Sequence, residues 1–123
     1  MKAYNTDKAP AAVGPYVQAI GTENLVFTSG QLSINPETGE LVTEIKAAAK
    51  QSLENVKAIL EEAGTSMDKV IKCTVFLANI NDFAAVNEVY KEYFSDHKPA
   101  RSAIQVGALP LGGVIEIEAI ATI

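Results

Sequence analysis

The sequence predicts an α+β fold: a mixed β-sheet with two helices laid on one of its faces. Three observations lead there. Two segments, Thr43–Ala63 and Asp82–Phe94, repeat their apolar residues at helical spacing. Runs rich in β-branched residues lie before, between and after them. Several of those runs are apolar on both faces, which two helices covering one face cannot explain.

Taken in order, "YVQAIG" and "NLVFTSGQLSI" read as strands parted by Gly21-Thr22-Glu23-Asn24, a hairpin-like break. "NPETGE" supplies a tight turn through Pro36 and Gly39, and "LVT" a short extended piece. The first helix runs from a Thr43 N-cap to Gly64, with Ile45, Ala48, Ala49, Leu53, Val56, Ile59, Leu60 and Ala63 along its stripe. "KVIKCTVFLANI" is a strand. Asn81 caps the second helix, whose seam of Phe83, Val86, Tyr90, Tyr93 and Phe94 includes one polar member, Asn87. "PARSAIQVGAL" and "GGVIEIEAIATI" are the last strands, so the order is β-β-(short β)-α-β-α-β-β. Val26 and Thr28 oppose Leu25 and Phe27, and Cys73, Val75 and Leu77 oppose Phe76. The face left over by the helices is expected to meet further copies of the chain, sheet to sheet.

Length and composition set the limits. At 123 residues, 48% hydrophobic and 20% charged, residues 1–123 suffice for one domain with a true core and are too few for two. Ten basic against fifteen acidic residues give a net charge of −5 with no basic stripe, which argues against nucleic acid as the main partner. One cysteine, Cys73, forbids an intrachain disulfide, and with one histidine, His97, a His/Cys metal site within one chain lacks ligands. No metal or other cofactor is expected. No apolar run approaches spanning length and the first residues carry no apolar leader core, so the expected location is cytoplasmic, away from membrane.

Arg101 poses the functional question, because a guanidinium stays charged and is costly to bury unpaired. Arg101, Ala103 and Gln105 share one face of their strand. In the last strand Ile115, Ile117, Ala119 and Ala121 make an apolar face, and Glu116, Glu118 and Ile120 point the other way. Three readings follow: an intramolecular or intersubunit ion pair of Arg101 with Glu116 or Glu118, an anion site with a carboxylate nearby, or a solvated edge. "TSGQ" ends a strand at Ser29 and Gly30, where backbone N–H groups can approach a ligand or form a bulge. Gly14-Pro15 makes a rigid turn that aims the Tyr16 hydroxyl. No GxSxG, Walker, GxGxxG or HExxH pattern occurs. Cys73, mid-strand among apolar neighbours, reads as a buried structural thiol, and His97 as a surface residue.

The segments "APAAVGPYVQAI", "TSGQLSINPETGE", "QSLENVKAILEEAG", "VIKCTVFLANINDFAAVNEVYKEYF", "PARSAIQVGALP" and "IEIEAIA" span nearly the whole chain. In them the sequence resembles the RidA (YjgF-like) reactive-intermediate deaminases, most specifically in "PARS" followed by "IEIEAIA". The resemblance implies a chorismate-mutase-like fold and a homotrimer with sheets inward, helices outward and active sites between subunits. It implies hydrolysis of 2-iminobutanoate or 2-iminopropanoate, released by pyridoxal-phosphate enzymes, to a 2-oxo acid and ammonia. By the same resemblance Arg101 grips the substrate carboxylate, Glu116 positions the water, and Tyr16 orients substrate or water. Ser29, Gly30, Phe83 and Asn87 line the pocket, as does Ala103, where many relatives carry cysteine. Val17 stands where many relatives have serine. Competing readings are a ribonuclease or translation inhibitor, a non-catalytic carboxylate-binding or chaperone-like trimer and, on fold alone, a chorismate mutase.

Overall fold

The computed structural model describes residues 1–123. Seven strands form one sheet: β1 (Lys2–Tyr4), β2 (Ala19–Gly21), β3 (Leu25–Thr28), β4 (Gln31–Leu32), β5 (Val70–Leu77), β6 (Ala100–Gln105) and β7 (Ile115–Thr122). Helices α1 (Ile45–Glu62) and α2 (Phe83–Tyr93) complete it. The strand order is β1-β2-β3-β7-β5-β6, and β4 pairs with β7 beyond the end of β3. All pairings are antiparallel except β5–β6, the two strands joined through α2. No helix is long and apolar enough to cross a membrane.

The mixed α+β architecture matches the expectation, with differences that have local causes. β1 adds an edge strand that three unremarkable residues, Lys2–Tyr4, did not announce. "YVQAIG" pairs only over Ala19–Gly21, and "LVT" contributes one isolated bridge, Leu41 to Ile34. "NLVFTSGQLSI" breaks at Ser29-Gly30 into β3 and β4. The first helix is capped by Glu44 rather than Thr43, because its longer carboxylate reaches two backbone donors, Lys46 N at 3.2 Å and Ala47 N at 2.7 Å. Gly64 lies just past the helix end at φ +84°, as a helix-closing glycine should. Asn81 is not a cap: Asn79 accepts from the Asn81 N–H at 2.9 Å and opens a short 3₁₀ turn, Ile80–Asp82, ahead of α2. His97 is half-buried, its ring Nε2 in contact with the Val70 carbonyl.

The helices lie together on one face, joined by a 2.6 Å hydrogen bond from the Tyr93 hydroxyl to Glu54. Leu53, Val56, Ile59 and Leu60 of α1 meet Val26, Val75, Ile115 and Ile117 from the sheet, all but excluded from solvent. The opposite face has no cover within the chain. Phe27 and Ile104 are exposed there, and Phe76 and Ile120 only half-buried. Two buried amides fix loops to this frame. Asn55 of α1 donates to the Leu32 and Ile34 carbonyls at 3.2 and 2.9 Å, anchoring the chain after β4.

Gln18 does the same for the N-terminal segment. Its side-chain nitrogen donates to the carbonyls of Thr6, Ala9 and Pro10, and its oxygen accepts from the Thr6 N–H at 2.6 Å. Removing it orphans several part-buried backbone groups together. Gln18→Leu is expected to cost about 2–3 kcal/mol in urea unfolding, and to speed amide exchange in residues 5–10 before the rest of the chain.

Candidate active site

Alternation along β7 sends Ile115, Ile117, Ala119 and Ala121 to the helices and Glu116 and Glu118 to the open face. Glu116 stands opposite Leu32 of β4 and Phe76 of β5. The break at Ser29-Gly30 makes room beside it: a Cβ built on Gly30 would land on the Glu116 carboxylate, so any larger residue there would push that carboxylate from its present position. Burial raises the carboxyl pKa above its ordinary value, and the neighbouring charge of Glu118 adds to the effect.

A cavity of about 420 Å³ opens over this carboxylate. Tyr16, Gly30 and Glu116 line it, with Gln18, Val13 and Leu111 among the remaining walls. The Tyr16 ring is 51% exposed, so its hydroxyl is available to a bound molecule. Ser29 is placed differently: its hydroxyl donates to the Val17 carbonyl at 2.6 Å and its N–H to the Gln18 carbonyl at 2.8 Å. These bonds hold the strand break, and Ser29 is not among the residues lining the cavity of the single chain.

Arg101 belongs to a second cluster. It pairs in register with Cys73, whose side chain is buried under the helices, and therefore faces α2. Its Nη1 donates to Asn87 Oδ1 at 2.7 Å. The guanidinium carbon lies 5.0 Å from the Phe83 ring centre and 4.7 Å from that of Tyr90. Two aromatic faces and one amide thus hold the cation, and no carboxylate neutralises it. The polar residue in the apolar seam of α2 is thereby explained. Ala103, two residues on, has the same facing and packs against the core. Cys73 is inert by environment, since burial pushes its thiol pKa up.

The intramolecular ion pair of Arg101 with Glu116 or Glu118 does not form. β5 separates β6 from β7, and the arginine and glutamates lie on opposite faces of the sheet. Within one chain there are two separate groups: Tyr16, Gly30 and Glu116 on the open side, and Phe83, Asn87, Arg101 and Ala103 beside α2. Sequence reasoning missed Tyr90, counted only as a core residue, and Gln18, whose partners are backbone atoms that no motif records. It also missed Val13 and Leu111, which carry no chemistry of their own.

Residues 6–123 match the family model described as Endoribonuclease L-PSP. The chain belongs to the YjgF/RidA family. It is similar to the 2-iminobutanoate/2-iminopropanoate deaminase of Escherichia coli, with 50% identity over 123 residues covering 98% of this chain and 96% of that one. The crystal structure of RidA from an Antarctic Psychrobacter superimposes with a TM-score of 0.96 at 52% identity, over the full length of both chains. E. coli TdcF with bound serine gives 0.96 at 48% identity, covering 100% of this chain and 99% of that one. These RidA-family structures share the mixed sheet and paired helices described above.

The raised Glu116 pKa has a consequence for stability. A carboxyl raised in the folded state contributes stability that is fully present below its unfolded pKa, about 4.3, and is lost as pH rises through the folded value. At pH 7, well above the unfolded value, Glu116 therefore burdens the fold relative to a neutral isostere. Glu116→Gln is expected to raise the urea midpoint at pH 7, with the gain shrinking toward zero below pH 4 at matched protein concentration.

Proposed function

We propose that the protein hydrolyses small 2-imino acids, such as 2-iminopropanoate and 2-iminobutanoate, to 2-oxo acids and ammonia. The site is shared between neighbouring copies in a homotrimer. The observation that carries this reading is Arg101: a guanidinium on the edge strand β6, held by Asn87 and two rings, with its charge left for an external anion. The names of relatives near 50% identity supply the reaction class. The uncovered apolar face and the free edge of β6 favour association, and the family resemblance supplies the number three.

Arg101 of one copy takes the substrate carboxylate in a two-pronged pair, which the planar guanidinium fits better than an ammonium would. Glu116 of the next copy holds a water against the imine carbon, with Tyr16 fixing its direction. The water oxygen bonds to that carbon as its proton passes to Glu116, giving a carbinolamine. Return of the proton to nitrogen lets ammonia leave as the C–N bond breaks; the carbinolamine hydroxyl gives its own proton back to Glu116 as the C=O bond of the 2-oxo acid forms, and solvent then takes that proton. A protonated imine is already electrophilic, so a positioned base worth about 10²–10⁴-fold suffices. The raised Glu116 pKa makes it a stronger base than a free carboxylate.

The description of the matching family model favours a second reading, ribonuclease. Against it stand the net charge of −5 and a single histidine occupied with a backbone carbonyl.

The decisive test mixes two inactive variants. Arg101→Ala and Glu116→Ala proteins, each inert on imine produced in situ by a threonine dehydratase, are unfolded together and refolded at equal ratio. About a quarter of wild-type activity should return, because each site draws one residue from each of two randomly assorted copies. No recovery, with trimers formed, would place both residues in one copy's site. In the wild type, the acidic limb of the kcat/KM profile should lie above the ordinary glutamate range and vanish in Glu116→Gln; a limb at the free-glutamate value would count against Glu116 as base.

A further inference from the structure

The loop between β6 and β7 contains the chain's one non-glycine residue with positive φ, Leu111 at φ +60° and ψ 18°. A branched side chain in this left-handed conformation is disfavoured, and such outliers gather where the surrounding structure has a use for them. Packing within the chain does not explain it, for Leu111 is 75% exposed there. What the conformation achieves is placement: Leu111 lines the cavity that contains Glu116. Val13, 86% exposed and carried by the segment that Gln18 fastens, lines the same cavity. Within one chain Glu116 is the only charged residue lining the cavity.

We propose that Leu111, with Val13, forms an apolar collar that selects the substrate's side chain, favouring uncharged alkyl groups over acidic ones. This rests on the imine-hydrolysis reading above. Two aliphatic side chains standing in water beside a catalytic carboxylate gain most when an alkyl group displaces that water. An acidic side chain would lose its hydration and meet the Glu116 charge, while Arg101 of the neighbouring copy is already taken by the substrate's 1-carboxylate. The left-handed backbone at Leu111 directs the collar, and Gly112 at φ +72° lets the chain turn away immediately after it.

The test uses 2-imino acids formed in situ by amino-acid oxidases from alanine, leucine and glutamate, with semicarbazide competing for the free imine. Leu111→Asn is the informative variant, since asparagine accepts the left-handed conformation while removing the apolar surface. Leu111→Gly removes the side chain with no backbone demand at all. Wild type should prefer the leucine-derived imine over the glutamate-derived one. Both variants should lose about tenfold in kcat/KM on the leucine-derived imine and less than twofold on the alanine-derived one. Equal loss on both substrates, or no loss on either, overturns the collar. Absence of imine hydrolysis by the wild type on every substrate overturns the functional reading instead, so the two failures are separable.

Discussion

Strand β7 is the constraint from which the rest of this molecule takes its form. Paired along most of its length on both sides, with β3 and β4 at one edge and β5 at the other, it cannot slip by one residue without exchanging its faces. Ile115, Ile117, Ala119 and Ala121 are locked beneath α1, and that burial is what obliges Glu116 to stand on the opposite side. The carboxylate sits in a half-buried place unfavourable to its charge because the core gains more from the alternate residues than the sheet loses there.

Much of this alternation was legible in the chain. The faces of β5 and β7, the helical stripe of α1 and the polar intrusion of Asn87 into the seam of α2 all follow from period-two and period-3.6 spacing. The hidden part was phase and adjacency. Spacing says which residues of one strand share a face, not which face of the next strand they match. Chain order made β6 and β7 look like neighbours. The crossover through α2 instead sets β6 parallel to β5, and β7 closes on the other edge of β5, so Arg101 and Glu116 part company.

The site residues divide in the same way. Those with chemical character, Arg101, Glu116 and Tyr16, stood out on the page. Those that shape the space did not. The strand break at Ser29-Gly30 reads equally well as a continuous strand, and nothing in "TSGQ" says that a carboxylate from β7 comes to rest against that glycine. Gln18 works through carbonyls of Thr6, Ala9 and Pro10, partners available at any sequence position. Glu44 displaced Thr43 as cap by side-chain reach, a matter of ångströms that residue type does not decide.

The placement of Arg101 and Glu116 on opposite faces bears on how the protein behaves when scarce. A lone chain offers a cation at one edge and a base on one face, and neither can act on the molecule the other holds. On the shared site proposed above, the reaction must then vary more steeply than linearly with protein at high dilution, and in proportion to it once association is complete. A newly made chain at low abundance would be chemically silent, and the reaction would switch on across a narrow span of concentration rather than growing evenly with synthesis.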